Sequence, residues 1–179
     1  MKWITRDHVH MDRVASPWLI RRFIDPAAEF SFVRFGNEHE HPLPADAIAF
    51  AIPGVEIGIH DAEGSTFRKL MRKYKLSDPA LEMMAEVIES GIHHVFHHKD
   101  PGYSPADLKY PEGIGLDALA HGMMFASRND IDNLERSAAI YDALYGYCRA
   151  ILLEKARPDI AALKPPQSWD RIRAELDGK

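Results

Sequence analysis

The chain has a single cysteine, Cys148, among 179 residues, which excludes an internal disulfide and suits a reducing compartment. It has no run of about 18 apolar residues, so no membrane-spanning helix is expected. The N-terminal stretch MKWITRDH lacks the apolar segment of a secretory signal, and a cytoplasmic location is the expectation. There is no long Lys/Arg run, and the net charge is −5. That balance argues against a protein that binds nucleic acid by itself or adheres to an anionic membrane. Also absent are G-x-S-x-G, the phosphate-binding P-loop, G-x-G-x-x-G and C-x-x-C. Serine-, thiol- and nucleotide-dependent chemistries are therefore not expected. Cys148 falls on an apolar helical stripe and reads as inert core.

Hydrophobic residues make up 46% of the chain and charged residues 27%, ordinary values for a globular protein with a real core. Histidine stands out. The ten histidines gather at His8/His10, at His39/His41 and in the run His93, His94, His97, His98, with His60 and His121 alone.

Periodicity places strands first and helices later. Lys2 to Thr5 and the alternating, aromatic stretch Glu29 to Phe35 read as strands. Asp46 to Ile52 and Val55 to His60 read as a strand pair around the Pro53-Gly54 turn. Ser16-Pro17 is a cap followed by a first-turn proline, predicting a helix from Ser16 to Ile24. Phe67, Leu70, Met71 and Tyr74 repeat at helical spacing. Asp78-Pro79 starts a helix with the stripe Leu81, Met84, Ile88 and Ile92. Lys99 to Gly113 is a Pro/Gly/Tyr-rich loop, and Ile114 to Ser127 is helical. Asn129 or Asp130 caps the longest helix, with the stripe Leu134, Ala138, Tyr141, Tyr145, Cys148 and Leu152. The predicted class is α+β: a small N-terminal sheet of short strands and a helical C-terminal half. Residues 1–156 are read as a single domain. Residues 157–179 are read as a Pro-interrupted extension with a short helix from Trp169 to Leu176.

Four blocks, DRVASPWLIRRFIDPAAEFSFV, FAIPGVEIGIHD, DPALEMMAEVIESG and IYDALYGYC, resemble the ChrB-type chromate-resistance domain. The resemblance covers roughly the first 150 residues. In the regulator of that name the domain follows an N-terminal DNA-binding segment; none precedes the block here, so no nucleic-acid binding is expected of this chain. The family pattern implies cysteine where Ser16 stands, so no thiol chemistry carries over to that place. The resemblance implies a link to chromate and no particular reaction.

Several constellations could carry chemistry. Glu56 and His60 are good oxygen and nitrogen ligands for Mn, Fe or Zn. On a straight strand they would lie about 13 Å apart, so a shared ion needs a bend, which Gly58 would permit. The bland reading is the polar face of an edge strand. The helix from Pro79 carries Glu82, Glu86, Glu89 and His93 on one side. This is either its wet face or a source of ligands, with Glu86, inside a family block, the preferred member. The run HHVFHH offers two i, i+4 histidine pairs at a helix C-terminus, where imidazolium is also favoured by the helix dipole. Asp117 and His121 are four apart on a helix and fit either a buried ligand pair or a satisfied core histidine. Gly122 beside them leaves room for a neighbouring element.

The stretch His8 to Arg22 reads as half of an oxyanion pocket. Arg13 supplies a guanidinium fork, the helix start after Ser16 supplies free N–H groups, and Arg21 lies further along. Asp12 would orient Arg13 or a metal-bound histidine. Alternatively, Asp12 and Arg13 form an ion pair that pins strand to helix.

The expected function is a chromate-resistance-related domain with a divalent metal ion, Mn, Fe or Zn, held by Glu56, His60, Glu86 and His121. Asp12 and Arg13 would act beside it, and a chromate-like oxyanion would bind at Arg13, Ser16 and Arg21. A metal-dependent oxidoreductase is one form of this expectation. The alternative is a non-catalytic anion-binding module that reports to a partner. A homodimer is one expected assembly.

Overall fold

The computed structural model describes residues 1–177. Lys2–Arg6 form β1, Glu29–Val33 form β2 and Ala47–Ala49 form β3. The sheet order is β2-β1-β3, and both neighbours run parallel to β1. Lys2 faces Glu29 and Ala47, and Ile4 faces Ser31 and Ala49. Parallel neighbours require crossovers. The first is α1 (Asp12–Leu19), which widens into a π-helical turn over Ile20–Ile24. All three strands therefore end on the same side, where the loops after β1 and β3 meet. In parallel sheets that side is where ligand sites form.

α1 begins four residues before the expected start at Ser16. Its first turn is held from outside: the Asp12 carboxylate accepts the backbone N–H of Thr66 at 2.8 Å and of Phe67 at 3.0 Å. Ser16 and Pro17 are thus interior and buried, not a cap. The expected strand pair around Pro53-Gly54 also gives way. Ala51 and Gly54 both take positive φ, 51° and 80°, so the chain turns repeatedly and keeps one isolated parallel bridge, Phe50 to Ile57.

The helical half follows its local signals. Ser65 caps α2 (Thr66–Lys73) by accepting from Arg68 N. Asp78 caps α3 (Pro79–His97), with Pro79 in its first turn. α4 covers Glu112–Ala126, and Asn129 caps α5 (Asp130–Ala156) through Asp132 N at 2.9 Å. The short α6 (Pro158–Ala161) and α7 (Gln167–Asp177) fold back on α5, where Arg149 donates to the Leu176 carbonyl and Arg157 pairs with Glu175. One core joins both halves: Trp3, Phe50, Phe67, Met84, Tyr141 and Cys148 are all fully buried or nearly so. The architecture is α+β, with a three-stranded sheet near the N-terminus and helices after it.

α3 and α4 cross at two glycines. A Cβ on Gly113 would sit 2.4 Å from the Gly91 nitrogen, and one on Gly91 would sit 2.9 Å from the Met11 sulfur. Backbone therefore meets backbone at this crossing, with the Asp7–Met11 loop tucked against it. A Cβ on Gly122 would meet nothing within 4 Å, so the close approach expected there occurs at Gly113 instead.

Candidate metal centre

The loop from Asp7 to Met11, at the carboxyl end of β1, is held along its whole length. Asp130, at the start of α5, accepts from His8 N at 3.1 Å and Val9 N at 2.8 Å. Asn133 donates to the Val9 carbonyl at 2.9 Å, and the Tyr141 hydroxyl to the Met11 carbonyl at 2.8 Å. Arg13 donates to the Asp7 carbonyl at 2.8 Å and the His8 carbonyl at 3.1 Å. His8 and Met11 both lie at positive φ, 53° and 41°, without being glycine. Such backbone persists only where surrounding contacts impose it. Between them His10 projects toward α4.

α4 supplies Asp117 and His121, one turn apart. His10 Nε2 lies 3.1 Å from Asp117 Oδ1 and 3.1 Å from His121 Nδ1; His121 Nδ1 lies 3.0 Å from Asp117 Oδ1. Three ligand atoms thus form a nearly equilateral triangle. Asp117 Oδ1 is buried, and its polar neighbours are the two imidazole nitrogens, which meet it without good hydrogen-bond geometry. His10 and Asp117 are largely covered, while the His121 side chain is 45% exposed. Burial, with His121 and Arg13 nearby, pushes the His10 imidazole down to about 4, against the pull of Asp117. His10 is therefore neutral near pH 7, with a lone pair to give.

These residues fit a metal ion. Ligand atoms roughly 2.0–2.2 Å from a common centre and about 90° apart are separated by about 3 Å. Two imidazoles and one carboxylate on one face leave further coordination positions free. An ion would give the buried Asp117 oxygen a better partner than two imidazoles in poor hydrogen-bond geometry. Among the described residues this is the group of three or more His, Cys, Asp or Glu side chains with ligand atoms close enough to share an ion.

A cavity of about 360 Å³ adjoins the triangle, and His10 belongs to both. Arg6 and Arg13 line it, with Asp12, Thr66 and His60. Both guanidinium groups lie over the Phe35 ring, at 4.5 and 5.1 Å. Burial, with Arg6 close by, pushes Arg13 down to about 10, so it stays charged at neutral pH. Arg6 Nε is buried and has no acceptor. Both oxygens of the lining carboxylate Asp12 accept from the start of α2.

Of the residues expected to hold metal, the structure brings His121 to the triangle and His60 to the wall of the adjoining cavity. Glu56 pairs with Lys73 and lines a different recess. Glu86 pairs with Lys109 on another surface of α3. Of the expected anion ligands, Arg13 lines the cavity. Ser16 is fully buried and donates to Asp12 at 3.4 Å. Arg21 lies over Phe30, in a recess with Trp18 and Asp142. Asp12 neither pairs with Arg13 nor reaches the triangle; it caps α2. The α3 carboxylates Glu82 and Glu89 are bridged by Arg68. In the histidine run, His94 pairs with Tyr103 and His97 with Asp100. The Asp117/His121 half of the triangle is visible as helical spacing. His10 has no partner nearby in sequence, since Asp117 lies 107 positions further on.

The comparisons with known proteins agree with the four blocks. Residues 3–148 match the family described as "ChrB, C-terminal domain". Protein ChrB of Cupriavidus metallidurans is 32% identical over 145 residues, which is 80% of this chain and 40% of that protein. The chain thus spans about two fifths of the curated relative it matches. No solved structure matches it. The matched span contains the sheet, the pinned loop, all three corners of the triangle and most of α5, and on that match the chain belongs to the ChrB C-terminal domain family.

Proposed function

We propose that this domain holds a divalent metal ion on His10, Asp117 and His121 and uses it to act on, or to sense, an anion admitted beside Arg6 and Arg13. The observation that carries the reading is the triangle itself: three ligand atoms from two distant segments, 3.0–3.1 Å apart, one of them a buried carboxylate oxygen. The family's link to chromate resistance makes a chromate-like oxyanion the first anion class to test. Mn or Fe would supply one-electron chemistry, and Zn would supply Lewis acidity or a sensing role. The protein's own part is separable from the ion. The Asp130, Asn133, Tyr141 and Arg13 contacts fix the His10 loop, the low basicity of His10 keeps it ready to ligate, and the arginines attract negative charge.

A sensor without turnover is the second reading. It is favoured by an apolar side chain left exposed beside the ligand His121, Phe125 at 79%, stacked on the His121 ring. Such an exposed ring suits a partner. Chromate consumption with excess ascorbate, measured above the metal-free protein's background, separates the two readings.

Elemental analysis of untagged protein, before and after chelation and reloading, tests the site. One ion per chain is expected, with loss of stoichiometric Co(II) binding in each of His10→Ala, Asp117→Ala and His121→Ala. A wild type that takes up no ion, or a His10→Ala/His121→Ala variant that keeps it, overturns the proposal.

A further inference from the structure

The cavity is unlike a pocket made for a bare oxyanion. At about 360 Å³ it lies in the range of sites for organic ligands, roughly 300–1,000 Å³, whereas a tetrahedral oxyanion has only five heavy atoms. Much of its lining is apolar: Met11, Ile59, Ile92, Val95 and Phe96, with Phe35 beneath the two guanidinium groups. Three of these side chains face water although they are large and apolar: Phe96 is 68% exposed, Phe35 50% and Ile59 36%. Scattered exposed apolar residues need no explanation, but three around one cavity mouth do. The lining itself carries a net positive charge. Two guanidiniums share the cavity, while its one carboxylate, Asp12, is turned to the α2 backbone. Glu38 reaches Arg6 through Nη1 at 3.3 Å and leaves Nε without an acceptor. Outside the lining, Asp7 and Asp130 lie near Arg13, whose two Nη atoms donate to the Asp7 and His8 carbonyls.

We infer that the cavity binds an organic anion, a carboxylate or similar planar group on an aromatic or branched apolar body, with the charged end at Arg6 and Arg13 and the body against Phe96 and Ile92. This names a ligand class for the site proposed above and rests on that reading for the position of the cavity beside a metal ion. Inorganic oxyanions would share the arginine end only. They would compete with the organic anion but gain nothing from the apolar wall. His10 belongs to both cavity and triangle, so the organic anion lies next to the coordination positions that the three ligands leave free.

The test uses benzoate, benzyl alcohol and sulfate as probes, titrated calorimetrically into the full chain in metal-free and Co(II)-loaded forms. Benzoate should bind at least tenfold tighter than sulfate and than benzyl alcohol. Phe96→Ala should weaken benzoate about fivefold and leave sulfate unchanged, since only the apolar body touches that ring. Arg6→Gln should weaken benzoate and sulfate alike. Phe96 is exposed, so its truncation does not threaten folding. Benzoate no tighter than sulfate, or indifferent to Phe96→Ala, overturns the inference. Cobalt absorbance in the same samples keeps the two proposals apart. Co(II) binding without benzoate preference defeats the ligand class alone, and benzoate preference without Co(II) binding defeats the metal site alone.

Discussion

Replacing Gly113 by alanine should harm this protein, although alanine is the better helix former. The added Cβ would lie 2.4 Å from the Gly91 nitrogen, 2.6 Å from the Val87 carbonyl oxygen and 3.0 Å from the Gly91 Cα. All three are backbone atoms of α3, so no side chain can swing aside, and the helices must separate by about 1 Å to restore ordinary contact. Overpacking of this kind costs about 1–3 kcal/mol, and rigid backbone puts it at the upper end. Helix propensity returns about 1 kcal/mol. The net loss is about 2 kcal/mol, a fall in Tm of roughly 4–8 °C for a chain of this size. Gly115, on the same helix, is the control, because a Cβ added there would meet nothing within 4 Å. Gly115→Ala should gain up to about 1 kcal/mol and raise Tm by roughly 2–4 °C. The separation of α4 also carries Asp117 and His121 away from His10, so Co(II) affinity should fall at least tenfold in Gly113→Ala and stay unchanged in Gly115→Ala. Thermal melts and cobalt titrations of both variants check this. Equal stability of the two variants would refute the claim that the glycine crossing sets the spacing of α3 and α4.

Asp12→Ala should lower stability by about 1–3 kcal/mol, because two buried N–H groups at the start of α2 lose their acceptor, while benzoate or sulfate affinity changes little; urea unfolding beside calorimetry checks both halves. The metal-free protein should lose stability as pH falls from 6.5 toward 4. The folded state holds His10 near 4 against an ordinary 6.5, so the unfolded chain binds the proton first, and the contribution present above pH 6.5 drains away through that window. The ceiling is about 3 kcal/mol, reduced by partial exposure of the ring. Between pH 7 and 4.5 the urea midpoint of wild type should fall further than that of His10→Gln, and parallel curves would count against it.

Local chemistry made much of this fold readable. Asp78-Pro79 and Asn129 each satisfy helix N–H groups within three residues of themselves, so the starts of α3 and α5 are where the sequence places them. The apolar stripe Leu134, Tyr141 and Cys148 repeats with the helix and is buried as its spacing requires. Glu56 and Glu86 lie in family blocks at ligand-like spacings, yet Lys73 and Lys109, distant in sequence, hold their carboxylates elsewhere. Ser16-Pro17 has every mark of a helix start, but the α2 backbone reaches Asp12 and draws the helix four residues upstream.

The sequence by itself determined the α+β order, the Asp78 and Asn129 caps and the helical spacing of Asp117 and His121, because each rests on residues a few positions apart whose geometry the backbone period dictates. The tertiary structure alone decided that His10 completes the triangle. That depends on a loop bent through two positive-φ residues, held by Asp130, Asn133 and Tyr141 from more than 110 positions away, and on two glycines that let α4 come close enough to meet it.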